Sequence, residues 1–519
     1  MENFSEMTEK GIIYSRVFQK GRDMIECSRD FILPDLYADI KRVISSSGSI
    51  YPEECFVESG KVSVNGTLTA RMLFVDDEGA LRSATFAQDY SASFPVSDVD
   101  SEDDILVVCC PTLESVSVKT VNPRKVSVRG RIDAGIKLWK KVSVDPEAPE
   151  FECECDTCVE TKTEKISCMV PFSAEERELD VSDDILLDNE IDEIIYCDAS
   201  IETVETVARD GALDVKGNIN TDIVYISRAS SDPIHVSKRI PFSNSVNVEG
   251  APSDSSVFSA CPYIRSVECE IAHAEGGDKI EIDVSYALIV NGASVVDCAY
   301  VCDAYMPAYE FETESERIGF SSDPEKTPKS VKMRSCAKDV LPEGSKVMLA
   351  TAQTQIESIA SENGKKSAMG SVGLNVVYKN PDGAVSSYSF SDSFEIDLSD
   401  ISDFNEYVFL MRMSPISVKN EQDGLCAEYD INADVISWKS GSGEMIRASR
   451  VIAPEHTDEK KPFIIYYPSK DESLWDVGKK YNVNVQSLIS ANPEIDGENL
   501  PKVLLIPRAR TISKNKIIF

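Results

Sequence analysis

A threefold internal repeat limits what this chain can fold into more than any other feature. Residues 60–74 (GKVSVNGTLTARMLF), 211–225 (GALDVKGNINTDIVY) and 364–378 (GKKSAMGSVGLNVVY) share two glycines six apart followed by an alternating stretch. The second glycines, Gly66, Gly217 and Gly370, are separated by 151 and 153 residues. So constant a period predicts three copies of one domain.

In the first copy Val62, Val64, Leu68, Ala70, Met72 and Phe74 fall on one side, as do Leu213, Val215, Ile219, Ile223 and Tyr225 in the second. A period of two marks a strand with one buried face. The mid-strand glycine lies on that face, where it leaves room for a large neighbour or a bulge. Polar tips at 76–79, 228–232 and 380–383 have hairpin-turn composition. The chain then returns through an aromatic landmark, Phe94, Phe242 or Phe394, to a second alternating group at 126–139, 280–290 or 427–438. These patterns predict a mainly β fold of three tandem antiparallel β-sandwich-like repeat domains, placed at 1–160, 161–315 and 316–445.

The length of 519 residues suits such a division, because one core rarely grows past roughly 250–300 residues. A net charge of −36, from 89 acidic and 53 basic residues, argues against nucleic acid as a partner, since no segment concentrates Lys and Arg along a phosphate track. Neither a secretory signal nor a transmembrane run of 18 apolar residues is expected, which points to the cytoplasm. For the fifteen cysteines, reduced thiols are then the default.

Residues 446–462 break the strand pattern with polar residues and two prolines and are read as a linker. Beyond it a compact βααβ module is expected at 463–510, with a tail at 511–519. A strand at 463–467 leads to small polar residues at 469–473 that can cap a helix. In that helix Leu474, Val477, Gly478 and Tyr481 fall at i, i+3, i+4 and i+7. A second helix near 485–491 stops at Asn492-Pro493, and residues 503–507 supply the closing strand.

Ser473-Leu-Trp475, Lys479-Lys-Tyr481, Val485, Leu488, Ala491-Asn-Pro493 and Leu504-Leu-Ile506-Pro507 resemble the LysM signature. LysM modules bind N-acetylglucosamine chains such as peptidoglycan through loops that correspond here to Lys470, Asp471, Glu472, Ser473, Asn492 and Pro493. Asp471-Glu-Ser473 replaces the family's usual Gly-Asp-Thr, and Leu500-Pro-Lys502 replaces Pro-Gly-Gln. An acidic residue in place of glycine blocks close backbone approach to a ligand, which favours a protein partner over a sugar. Trp475, an aromatic at the start of a short helix, is either core or an anchor for that partner.

The G-x-V-x-V-x-G repeats resemble SPOCS-type domains of spore-forming Firmicutes, and three of them followed by one LysM is similar to the SipL-type family of clostridial spore-coat morphogenetic proteins. That resemblance implies a mother-cell cytoplasmic protein at the forespore surface, joined to a SpoIVA-type coat ATPase and other spore-coat proteins. Its LysM would be the docking module, with Ile464, Tyr466, Trp475 and Lys480 as candidate contacts. The alternative is a peptidoglycan- or cortex-binding protein.

Catalysis is not expected. The three histidines, His235, His273 and His456, lie in separate segments, and no phosphate loop, Rossmann glycine run or His-Glu-x-x-His is present. No cofactor is expected either. No metal is expected: Cys153, Cys155, Cys158 and Cys168 bring four thiols within reach of one tetrahedral zinc, but their spacing is irregular for a zinc ribbon and the alternation of Cys153 and Cys155 suits one strand face of small buried residues.

Overall fold

The computed structural model describes residues 12–58, 60–96, 104–144, 159–209, 211–248, 257–274, 277–337, 341–401, 403–421, 424–454, 463–470, 472–495 and 500–507. Strands dominate, and the only two α-helices among these residues lie near the C-terminus. The same pairing scheme recurs three times.

In the first instance β1 (Ile12–Ile32) runs antiparallel to β7 (Lys125–Val144), with β5 (Asp104–Cys109) and β6 (Thr112–Asn122) also on β7. Facing this sheet is the meander β2 (Ile40–Glu58), β3 (Lys61–Asp76) and β4 (Leu81–Pro95). The second instance has β8 (Glu160–Leu186), β13 (Gly277–Tyr305) and β12 (Val257–Ala274) against β9 (Ile191–Arg209), β10 (Ala212–Ser227) and β11 (Ser230–Asn247). The third pairs β14 (Tyr309–Ala337) with β20 (Gly424–Pro454), adds β18 (Glu406–Met413) and β19 (Ser417–Glu421), and faces β15 (Lys346–Glu362), β16 (Lys365–Lys379) and β17 (Val385–Asp397).

Alternation explains each core. Val62, Val64 and Leu68 of β3 meet Ile132, Ala134, Ile136 and Leu138 of β7, while Ala70, Met72 and Phe74 meet Val126 and Val128. Leu213, Val215 and Ile219 pack on Ile280, Ile282 and Val284 in the same way, as do Val372 and Leu374 on Ala427 and Ile431. Every second side chain is therefore buried between two sheets, and burial of each contributes roughly 1.5–3 kcal/mol.

The two motif glycines have separate causes. Gly60, Gly211 and Gly364 occupy the turn before the central strand with φ of 75°, 75° and 79°, and Asn363 beside the last is at 52°. Left-handed Asn-Gly is the two-residue hairpin turn that matches strand twist. Gly66, Gly217 and Gly370 instead sit opposite aromatic residues, Tyr90, Phe242 and Phe394. A β-carbon on Gly370 would collide with the Phe394 ring and the Gln355 carbonyl. The landmark of the first repeat is thus Tyr90, whereas Phe94 opposes Val62.

Equivalent residues on the other face of the central strands are also apolar, and there the repeats meet. Leu73, Val224 and Val377 share one buried cluster with Ile44, Ile195 and Met348. Both trios follow the repeat spacing. Arg71, only 7% exposed at its side chain, reaches Asp198 of the second repeat at 3.0 Å. A second three-way contact joins Trp139, Met169, Ala293 and Trp438, with the two indoles 5.6 Å apart.

Two expectations need correction. Residues 446–454 are not linker: β20 continues to Pro454, and its partner β14 already starts at Tyr309, seven residues before the anticipated boundary at 316. Polar strand residues misled there, because a two-stranded ribbon has little apolar face to advertise itself. Nor are all cysteines reduced, since Cys197 is bonded to Cys269 and Cys336 to Cys426.

Gly370→Ala should lower stability by about 1–3 kcal/mol through this overpacking, whereas Gly373→Ala, with nothing near its missing β-carbon, should leave it within about 0.5 kcal/mol. Leu73→Ala, at the contact shared by the repeats, should cost about 2–5 kcal/mol. Urea unfolding of the three variants measures each difference.

Candidate docking site in the C-terminal module

β21 (Phe463–Tyr466), α1 (Leu474–Tyr481), α2 (Val485–Ala491) and β22 (Leu504–Pro507) realise the expected βααβ order. Val477, Val483, Leu488, Leu504 and Ile506 form the core. Ser473 caps α1: its hydroxyl accepts from Asp476 N at 3.2 Å, while its own N–H donates to the Asp476 carboxylate at 2.9 Å. This reciprocal pair satisfies two otherwise orphaned donors. Asn482 ends the helix in the left-handed region at φ 53°.

One face of α1, together with the turn that follows it, is seated on the second repeat. Beyond β12, the end of β13 pairs only with β8 as a ribbon, and that ribbon presents Asp303 and Tyr305. Trp475 donates its indole N–H to Asp303 at 2.8 Å, Lys479 donates to the other carboxylate oxygen at 2.6 Å, and the Tyr305 ring meets the indole edge-on at 5.0 Å. Tyr305 also donates to the Val483 carbonyl at 2.8 Å, and Asn482 to the Tyr309 carbonyl at 2.9 Å. Gly478 lets the helix come this close, because a β-carbon there would strike the Tyr305 hydroxyl. Burial disfavours the Asp303 carboxylate, yet Lys479 and Trp475 more than offset it and hold the carboxyl below its usual range.

Trp475 thus serves as an anchor within the chain. The other candidate contacts are also engaged. Ile464 and Tyr466 point inward onto the module core. Tyr466 donates to Glu472 at 2.7 Å and accepts from Lys480 at 2.8 Å. The Ser469 N–H, followed by the Tyr466 hydroxyl, holds the Glu472 carboxyl below its ordinary range.

Among the candidate ligand-loop residues, Lys470 and Pro493 are exposed, Ser473 is the helix cap, and Asp471 lies outside the described residues. Asn492 is buried and ties α2 to β22 by donating to Leu488 O and Leu505 O and accepting from Leu505 N. Glu472 and Asn492 are therefore committed to holding the loops.

What the alternation leaves outside is the opposite face of the small sheet. Phe463, Ile465, Tyr467, Val503 and Leu505 are 57, 57, 70, 44 and 41% exposed and form one apolar surface, since Ile465 pairs with Leu505. Two strands of four residues cannot bury both faces in one module. The choice between faces was open in the sequence, because apolar residues occupy both. A contiguous exposed apolar patch on a small module marks an interaction surface.

The remaining candidates do not join this site. Cys153, Cys155 and Cys158 of the zinc reading, together with His456, lie outside the described residues. Cys168 is buried with Cys298, Tyr300, Ile318 and Met445, where the second and third ribbons pack together. His235 pairs with Asp222 at 2.9 Å, and His273 with Asp278 at 2.7 Å, whose other oxygen accepts from Ile191 N. No helix among the described residues is long and apolar enough to cross a membrane.

A carboxyl held below its ordinary value stabilises the docked state above that value and loses the contribution as pH falls through the lowered one. Amide exchange in α1 should therefore accelerate below about pH 4. Asp303→Asn should produce the same loosening at pH 7, worth about 1–3 kcal/mol, while protection at the Leu488 core of the module persists.

Residues 190–273 match the family described as SipL, SPOCS domain, and residues 469–503 match the LysM domain family. The first match spans β9 to β12 and hence the meander and first return strand of the second repeat; the second spans both helices. No curated protein and no solved structure matches the chain. The chain accordingly carries a SipL SPOCS domain and a C-terminal LysM domain, the combination of a SipL-type protein with LysM.

Proposed function

We propose that this chain is a non-enzymatic spore-coat morphogenetic protein whose LysM domain docks a protein, in the reading a SpoIVA-type coat ATPase at the forespore surface. The domain pair supports a sporulation-associated protein with a binding module. The observation that carries the docking reading is the exposed apolar face made by Phe463, Ile465, Tyr467, Val503 and Leu505. This face offers contiguous apolar area of the kind that forms the centre of protein interfaces. Two of the loop residues that would meet a glycan, Glu472 and Asn492, are already spent on internal hydrogen bonds.

The three repeats then form the support. They fix the module on the β13 ribbon, so the apolar sheet is presented in one orientation, and a rigid presentation lowers the entropy lost on binding. An assembly that polymerises would multiply several weak contacts of this kind.

Co-purification from sporulating cells tests the reading. Ile465→Asp or Leu505→Asp should lower recovery of the coat ATPase at least about tenfold, equivalent to about 1.4 kcal/mol, without unfolding the module. Ile464→Ala should instead reduce module stability. Unchanged ATPase recovery with the Asp variants, or retention of the chain on purified peptidoglycan that those variants leave intact, overturns the proposal in favour of wall binding.

A further inference from the structure

Most cysteine pairs described in this chain belong to single repeats. The bonded pairs Cys197–Cys269 and Cys336–Cys426 each join strands of one repeat, and Cys55 lies beside Cys109 within the first. Cys110 and Cys261 differ. Cys110 follows β5 of the first repeat, Cys261 lies on β12 of the second, and their sulfurs are 3.5 Å apart. Both are unbonded thiols. Their separation of 151 residues equals the first repeat period, and the next equivalent position is Ser414, so only one of the repeat boundaries carries such a pair.

We propose that Cys110 and Cys261 are a site of oxidative modification, at which a peroxide converts the two thiols into a disulfide that joins the first and second repeats covalently. The repeats are already held in register here: Tyr263 donates to the Pro111 carbonyl at 3.2 Å, and Asn291 donates to the Cys110 sulfur at 3.4 Å. Bond formation therefore needs a small approach of two sulfurs rather than a search by two domains.

The pair is chemically unequal. The hydrogen bond shared with the Cys261 sulfur keeps the Cys110 thiol below its usual range against the effect of burial, with Lys137 and Asn291 adding to the lowering. The same hydrogen bond, together with burial, raises the Cys261 thiol well above its usual range. Because the Asn291 amide also donates to the Cys110 sulfur, the attacking thiolate is assigned to Cys110 and the resolving thiol to Cys261. Cys109, Pro111 and Asn291, which flank Cys110 in sequence or space, line a cleft of about 450 Å³ between the two repeats that admits a peroxide next to the pair, although Cys110 and Cys261 do not themselves line it.

The steps balance. The Cys110 thiolate attacks one peroxide oxygen, the O–O bond breaks, and the departing hydroxide takes a proton to become water, leaving a sulfenic acid on Cys110. Cys261 then attacks that sulfur and displaces hydroxide, which takes the Cys261 proton to form a second water. Two thiols and one hydrogen peroxide give one disulfide and two waters, with two electrons passing from sulfur to oxygen.

The test uses the purified full chain treated with hydrogen peroxide, denatured in N-ethylmaleimide and digested without reduction for mass spectrometry. The expected product is a linked pair of peptides carrying Cys110 and Cys261, lighter by two hydrogens than their sum, together with loss of the maleimide adduct at both residues. It should persist in Cys109→Ala and disappear in Cys110→Ser. Cys261→Ser should stop at a sulfenic acid on Cys110 that dimedone labels. Maleimide adducts at both residues after peroxide, or a Cys261 cross-link that survives in Cys110→Ser, would overturn the proposal. The wild-type map alone decides the first of these, so a variant that fails to fold does not remove the test.

Discussion

Apolar contact between the outward faces of the three central strands holds this molecule together above the level of the single sandwich. Leu73, Val224 and Val377 sit where strict alternation calls for a polar residue. Each sandwich has its own core, as a β-sandwich of this size requires, yet the second face of each meander would expose apolar area if the repeats were strung apart. Packing the three against one another buries it. The Trp139–Trp438 contact and the Arg71–Asp198 pair then fix their mutual orientation.

That arrangement decides where the C-terminal module sits. The long strands β8 and β13 outrun their neighbours and continue as a two-stranded ribbon whose end holds Asp303 and Tyr305. An isolated ribbon is marginal in water, and here it is braced by the ribbon of the third repeat through Cys168, Tyr300, Ile318 and Met445. Trp475 and Lys479 close on the carboxylate at its tip. One helix face of the module is thereby occupied from within the chain, and its small sheet remains available on the far side.

The same logic separates residues that hold the module from those that can serve a partner. Tyr466, Glu472 and Lys480 form an internal hydrogen-bonded group, and Asn492 replaces a missing strand partner for Leu505. Among the described residues, Phe463, Ile465 and Tyr467 have no such duties. The four contacts implied by the SipL-type resemblance, Ile464, Tyr466, Trp475 and Lys480, are all engaged within the chain.

Period-two alternation and paired glycines in the sequence determined the strands, their buried faces and the threefold recurrence, since these depend on local backbone geometry and on which side chains leave water. Helical spacing and turn residues likewise determined the βααβ module. Tertiary structure alone decided that the repeats pack on a shared contact, that strand β20 extends as far as Pro454 into the anticipated linker, and that Trp475 binds Asp303 across 172 residues of chain. It also decided which face of β21 meets solvent, because a strand with apolar residues on both sides carries no local signal of what will cover each.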